Sequence, residues 1–66
     1  MSQKKIKEER IFTAAMEEFL EKGFFGAGME SVAKRAEVSK RTLYKYYPSK
    51  EALYEALVEK GYTHIS

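Results

Sequence analysis

Hydrophobic residues recur every three or four positions along most of the chain, a spacing that is typical of amphipathic helices. The first such segment covers about residues 7–22 and contains no glycine or proline. Its apolar face carries Ile11, Phe12, Ala15, Met16 and Phe19, and its polar face carries Arg10, Glu17, Glu18 and Glu21. We predict that the apolar face packs in a core and that the glutamate-rich face is solvated. Gly23 suits the end of this helix, because a left-handed residue is common there.

Two shorter helical segments follow a connector, residues 23–28, in which three glycines surround two phenylalanines. The connector predicts a tight turn that returns Phe24 or Phe25 to the core. In residues 29–36 the apolar side chains lie at i, i+3, i+4 and i+7, and they are Met29, Val32, Ala33 and Ala36. Ser39 is a favourable N-cap for a helix over about residues 40–46. Pro48 ends that helix, because the residue before a proline avoids the α region.

A fourth helix is predicted over about residues 49–62, with Ser49 as its cap and Glu51 in its first turn, where the helix dipole favours a carboxylate. Its wide apolar band consists of Leu53, Tyr54, Leu57, Val58 and Tyr62. Both ends of the chain, residues 1–5 and 62–66, are expected to fray. The pattern predicts one all-α domain over residues 1–66, in which two short helices joined by a turn of about three residues form a helix-turn-helix.

Positive charge is concentrated in the third helix and its flanks. Residues 38–50 carry four basic side chains and no acidic one, whereas the whole chain has a net charge of only +2. If Leu43 points to the core, Arg41 and Lys45 lie about 160° away on the helix and face outward. Thr42 and Tyr44 flank these two cations. Such a surface is suited to the phosphates and base edges of a DNA major groove.

Composition argues against several other functions. Because the chain has no cysteine, no aspartate and only one histidine, His64, it cannot assemble a catalytic triad or a zinc site. No apolar run approaches the roughly 18 residues that a membrane span needs, and the lysine-rich start lacks the apolar region of a signal peptide. We therefore expect a cytoplasmic protein without enzyme activity, cofactor or membrane contact.

The most distinctive run of the sequence is residues 42–53, Thr-Leu-Tyr-Lys-Tyr-Tyr-Pro-Ser-Lys-Glu-Ala-Leu. Shorter motifs precede it, namely Ala14-Ala15, Phe19, Gly23-Phe24, Val32-Ala33, Ala36 and Val38-Ser39-Lys40. In this order and spacing, residues 11–58 resemble the N-terminal DNA-binding domain of the TetR (tetracycline-repressor) family of transcriptional regulators. The resemblance covers about three-quarters of the chain, and the long ordered run makes it specific.

The resemblance implies an all-α, homeodomain-like fold in which helices 2 and 3 form the helix-turn-helix and helix 4 links to a larger C-terminal domain. That domain, which binds a small-molecule effector and forms the homodimer, is expected to be absent from this chain. The partner implied is double-stranded operator DNA, and most family members are repressors. Base contacts are expected from Lys40, Arg41 and Lys45. Phosphate contacts are expected from Gly28, Met29, Thr42, Tyr44, Tyr46 and Lys50.

Two positions depart from the family pattern. The family usually has serine or threonine where Gly28 stands, as the N-cap of helix 2, so a capping hydroxyl is missing here. The family usually has glycine where Glu37 stands, and a glutamate that must take a positive φ is strained by about 1 kcal/mol. An alternative function is a helical protein-interaction module that uses the apolar band of helix 4.

Overall fold

The computed structural model describes the backbone of residues 3–61 and the side chains of residues 7–61. Within this range there are four helices and no strand: α1, Gln3–Gly26; α2, Met29–Ala36; α3, Lys40–Tyr46; and α4, Lys50–Lys60. The all-α prediction is confirmed. The structure gives α2 and α3 the bounds expected from the sequence, begins α1 four residues earlier, and ends α4 at Lys60. Tyr62 and His64 lie outside the described residues.

Gly23 divides α1 into a long helix and a final turn. Its backbone has φ 74° and ψ 167°, which are not helical angles, and its carbonyl accepts a hydrogen bond from Ala27 N–H at 3.0 Å. Glycine takes such a positive φ without the clash that a Cβ would cause. The kink turns Phe24 toward the core, where its ring centroid lies 5.7 Å from that of Phe19. Phe25 instead remains 93% exposed.

The core lies between α1 and the three shorter helices. Its most deeply buried apolar residues are Ile11 and Ala15 of α1, Leu43 of α3, and Leu53 and Leu57 of α4, all with no exposed surface. Fully burying one leucine or isoleucine side chain contributes about 1.5–3 kcal/mol, so these contacts fix the direction in which α3 and α4 face. Ala14, Ala33 and Ala36 are also buried, and their small side chains let α1 and α2 approach closely.

The turn between α2 and α3 is closed by a left-handed residue. Glu37 has φ 61° and ψ 37°. Its N–H donates to Lys34 O at 3.2 Å, and Val38 N–H donates to Ala33 O at 3.0 Å. These are the paired bonds of a Schellman motif, which usually places glycine at the left-handed position. Glu37 therefore has the positive φ that strains a glutamate, at a cost of about 1 kcal/mol.

Serine caps start the last two helices. Ser39 Oγ accepts the Thr42 N–H at 3.0 Å, and Ser49 Oγ accepts the Ala52 N–H at 3.1 Å. Tyr47 is extended, with φ −136° and ψ 103°, as the residue before a proline should be. The predicted caps at Ser39 and Ser49 are confirmed, and they fix where α3 begins relative to the turn.

The prediction of a fully solvated glutamate face on α1 is wrong at Glu18. This side chain has no exposed surface, because α2 packs against the side of α1 on which it lies. Helical periodicity predicted only one buried face for α1. The second buried face, which is centred on Glu18, was not predicted because this residue is charged.

Candidate nucleic-acid interface

The outward surface of α3 carries Lys40, Arg41 and Lys45, which we call the basic surface. Leu43 is completely buried, so Arg41 and Lys45, about 160° from it around the helix, must face outward. All three are exposed, and among the described residues none of them has an ion-pair or hydrogen-bond partner. Their positive charge is thus available to an external anion.

A hydroxyl pair lies at the start of the basic surface. Ser39 Oγ–H donates to Thr42 Oγ1 at 2.9 Å, while Ser39 Oγ accepts the Thr42 backbone N–H. Because Thr42 Oγ1 is the acceptor in this bond, its own hydroxyl hydrogen is left to donate elsewhere. Thr42 can therefore bind an acceptor such as a phosphate oxygen.

Three tyrosines divide between the surface and the core. Tyr44 is exposed and Tyr46 is half-buried. Tyr47 is half-buried and packs against the core, with its ring 5.7 Å from that of Phe12. Burial, together with the nearby Glu8 and Tyr46, raises the pKa of Tyr47 above 10.0, so its phenol stays protonated at neutral pH. The phenols of Tyr44 and Tyr46 remain candidates for DNA contact.

Lys50 forms an internal latch between the start of α4 and the end of α1. Its Nζ lies 3.1 Å from Ala27 O and 3.5 Å from Phe25 O, and it sits 4.7 Å above the centre of the Phe24 ring. An ammonium group has three donors, so one remains after these two carbonyls. Sequence patterns do not predict this latch, because Lys50 and its carbonyl partners are more than twenty residues apart.

The first turn of α2 has no side-chain cap of its own, since Gly28 occupies the N-cap position. Its N–H donates instead to Glu18 Oε2 of α1, at 3.2 Å. The Met29 side chain is buried, so only its backbone N–H is available to a ligand. Gly28 and Met29 were both expected at a phosphate. The Gly28 N–H is already bound by Glu18, so the Met29 N–H is the one left for a ligand.

Glu18 is the centre of a charged cluster that we call the paired corner, formed by Glu17, Glu18, Glu21, Lys22 and Arg35. Arg35 Nε donates to Glu18 Oε1 at 3.0 Å and Lys22 Nζ lies 3.3 Å from Glu18 Oε2. The Arg35 guanidinium also contacts Glu17, at 3.6 Å, and Glu21. Of these five side chains only Glu18 is buried, and a buried carboxylate is tolerated only when it is paired and hydrogen-bonded in this way.

The environment of Glu18 keeps it ionised. Burial raises the pKa of its carboxyl, but the Gly28 N–H, the Lys22 ammonium and the Arg35 guanidinium together outweigh burial, and the pKa falls below 4.5. Burial lowers the pKa of Arg35, while Glu21 and Glu18 raise it by more, so the net shift is upward. Both groups are therefore charged at neutral pH.

The apolar band of α4 is shared between the core and solvent. Leu53 and Leu57 are completely buried, whereas Tyr54 and Val58 are 39% and 51% exposed. Tyr54 also contacts the core edge, because its ring lies 5.3 Å from Phe24 and 5.6 Å from Phe19. The surface left for a protein partner on this helix is small.

Other kinds of site are not found in the part of the chain that the structure describes. Residues 3–61 contain no group of three acidic or histidine side chains that could hold a metal ion. None of the helices described is both long enough and apolar enough to cross a membrane.

Comparison with known proteins identifies the arrangement. Residues 11–57 match the family described as bacterial regulatory proteins, tetR family. The chain is 44% identical to the HTH-type transcriptional regulator RutR of Escherichia coli over 54 residues, which are 82% of this chain and 26% of RutR. It is 41% identical to the HTH-type transcriptional activator FasR of Mycolicibacterium smegmatis over 51 residues, 77% of this chain and 23% of FasR.

A crystal structure agrees with the sequence comparisons. A TetR-family transcriptional regulator from Mesorhizobium loti superimposes with a TM-score of 0.84 at 36% identity, covering 88% of this chain and 29% of that one. The chain thus spans about a quarter of the length of the curated relatives that it matches. These relatives are named as transcriptional regulators. The chain belongs to the TetR family of bacterial regulatory proteins, and residues 11–57 match the helix-turn-helix DNA-binding domain of that family.

Proposed function

We propose that this domain binds one half of a specific operator with α3 in the major groove, and that the regulator it serves is a repressor. The observation that carries the first part is the basic surface, whose three cations have no partner among the described residues although acidic side chains are plentiful elsewhere. The proposal that the regulator is a repressor rests on the family resemblance alone. One relative, FasR, is named an activator.

The proposed base contacts come from the basic surface itself. Arg41 and Lys45 point away from buried Leu43, and an arginine can donate two hydrogen bonds to the O6 and N7 atoms of a guanine. Lys40 lies at the start of α3, where it can reach a neighbouring base pair. We assign specificity to these three residues.

The proposed phosphate contacts surround the basic surface. The free hydroxyl hydrogen of Thr42 and the phenols of Tyr44 and Tyr46 supply neutral donors. Lys50 and the first turn of α2, at Gly28 and Met29, lie together, since Lys50 binds the carbonyl of Ala27. The third donor of Lys50 and the Met29 N–H would reach one phosphate there, with Gly28 holding the turn in place.

Dimerisation is proposed to depend on a further C-terminal domain, which would also bind a small-molecule effector. Paired helix-turn-helix domains place their α3 helices about 34–36 Å apart, one turn of DNA, and a stable dimer buries roughly 1,200 Å² or more. The exposed apolar residues of α4 offer little of that area. We therefore expect this chain to be monomeric and to bind a half-site weakly. Acting on operator DNA, it would work in the cytoplasm.

The test is a selection of duplexes from random sequence, followed by titration of the selected site and a scrambled one at two salt concentrations. The proposal requires a preference for the selected site and an affinity that falls with salt. The alternative, a protein-interaction module on α4, requires binding that is insensitive to salt and to Arg41→Ala or Lys45→Ala. A full-length regulator and a reporter downstream of the selected site would give the sign of regulation.

A further inference from the structure

The first turn of α2 poses a capping problem that the chain solves from another helix. A helix begins with N–H groups that have no intrahelical partner, and a serine, threonine or aspartate at the N-cap usually accepts from one of them. Gly28 cannot do so, and no side-chain cap is present at this helix. Nevertheless Glu18 of α1 places a carboxylate at this point and accepts the Gly28 N–H at 3.2 Å.

Glu18 has more than a hydrogen-bonding role at this position. A carboxylate beside the N-terminus of a helix is stabilised by the helix dipole, and here the carboxylate has no exposed surface. Its second oxygen accepts from Arg35 Nε, which belongs to the last turn of the same helix α2. One side chain of α1 therefore holds both ends of α2.

We propose that Glu18 is a positioning residue for DNA binding, which accepts the N–H of the N-cap residue Gly28 from α1 and holds the first turn of α2 in the orientation that meets the phosphate. The proposal rests on the proposed function, because it assumes that the Met29 N–H faces the DNA backbone. It makes DNA affinity depend on Glu18 although the side chain is buried and cannot touch DNA.

The structure allows a second, independent cap at position 28. Gly28 has φ −128° and ψ 144°, an extended conformation open to any residue, and a Cβ added there meets no atom within 4 Å. A serine at position 28 therefore fits, and its hydroxyl could accept the Ser31 N–H, three residues on, as Ser39 and Ser49 do in the next two helices. Such a cap would not depend on α1, and it would leave the Gly28 N–H to Glu18.

The experiment is a double-mutant cycle of Glu18→Leu and Gly28→Ser in the 66-residue chain, with affinity measured on the selected duplex. Leucine keeps the approximate size of the glutamate and removes the acceptor. An N-cap is worth about 1 kcal/mol, so Glu18→Leu should weaken binding about five-fold. A serine cap exceeds a glycine cap by only a few tenths of a kcal/mol and binds a different N–H, so Gly28→Ser should raise affinity by less than about two-fold in either background and should not replace Glu18.

Controls separate positioning from unfolding. Circular dichroism should show that each variant is folded at the temperature of the titration, and Glu21→Leu supplies a matched control. Glu21 also binds Arg35 but does not contact Gly28, so its loss should leave affinity almost unchanged. Folded Glu18→Leu could bind the duplex too weakly for its affinity to be measured. In that case Glu18→Gln, which keeps an acceptor oxygen, should bind better than Glu18→Leu.

Three outcomes would overturn the inference. Unchanged affinity of folded Glu18→Leu would show that the cap is irrelevant to DNA. An equal loss in Glu21→Leu, whose residue also binds Arg35, would place the role of Glu18 in Arg35 alone. Full recovery on adding Gly28→Ser would show that Glu18 does not act through the Gly28 N–H. If instead the unmutated chain binds no selected duplex, the proposed function fails, and the same cycle followed by thermal melting without DNA still tests the cap.

Discussion

Arg35 and Arg41 belong to consecutive helices, yet their surroundings are opposite. Arg35 contacts Glu17, Glu18 and Glu21 at the paired corner. Arg41, with Lys40 and Lys45, has no such partner among the described residues. The same side-chain type thus holds two helices together in one place and remains available to a ligand in the other. Pairing with carboxylates, more than the number of basic residues, therefore separates a cation that joins two helices from one that is left for a ligand.

The largest effect on DNA binding is expected from two single substitutions, one of an arginine in the basic surface and one of an arginine in the paired corner. Arg41→Ala should weaken binding to the selected duplex by about 1–3 kcal/mol and flatten its preference at one base pair, because a bidentate contact to a base is lost. Arg35→Ala should lower the melting temperature without changing which base pairs are preferred. Titration of single-base variants of the duplex, with a thermal melt of each protein, measures both. A changed base preference in Arg35→Ala would erase the distinction between the two regions.

A smaller effect is expected from acid, which should weaken the paired corner selectively. The pKa of Glu18 is lowered in the folded chain, so its contribution to stability is complete above the unfolded value of 4.5. That contribution is lost as the pH falls through the still lower folded pKa, because the unfolded state then binds the proton more readily. Urea unfolding of the unmutated chain and Glu18→Gln should show a stability gap at about pH 7 that narrows toward about pH 3. A gap that does not depend on pH would mean that the charge of Glu18 is unimportant.

Lys50 shares a feature with each of the two regions. Its Nζ binds two carbonyls of the chain, as the cations of the paired corner bind carboxylates, but it retains one donor for a ligand. If that donor meets a phosphate, Lys50→Ala should weaken binding to all duplexes alike and reduce the slope of log K against log salt by about one. Lys22→Ala is the matched control, because Lys22 binds Glu18 and is not proposed to contact DNA. Equal slopes for Lys50→Ala and the unmutated chain would make the latch purely structural.

The smallest effect is expected at Glu37, in the turn that separates the two regions. Glycine relieves the positive φ of this residue but adds entropy to the unfolded chain, so Glu37→Gly should stabilise the domain by about 1 kcal/mol at most. The change also removes the exposed pair with Arg10, at 3.8 Å, which contributes little. Thermal melting measures the gain, and a lower melting temperature would show that the glutamate stabilises the turn in another way.

Local rules were enough to predict α3 and its surroundings. The Ser39 cap, the apolar Leu43 and the stop before Pro48 each act within a few residues, so the direction of the basic surface followed from helix geometry alone. The positive φ of Glu37 was likewise expected, since the turn position is one that glycine usually occupies.

The long-range contacts were not predicted. Glu18 meets Gly28 and Arg35, and Lys50 meets Ala27, across separations of 10 to 23 residues, for which periodicity carries no information. A weak signal did exist, because a helix start without a capping side chain, at Gly28, needs an acceptor from elsewhere. Which of the many glutamates supplies it could be learned only from the packing of α1 on α2. The DNA contacts themselves remain predictions.

The latch formed by Lys50 has a consequence for how the helix-turn-helix opens and closes. By joining the start of α4 to Ala27, it closes a chain loop that contains all of α2, the turn and α3. Closing a loop of this length is opposed by chain entropy, and the contacts inside it become favourable together once it is closed. We therefore expect the helix-turn-helix to open and close as one cooperative unit, with the amides inside the loop sharing a common free energy of exchange with solvent.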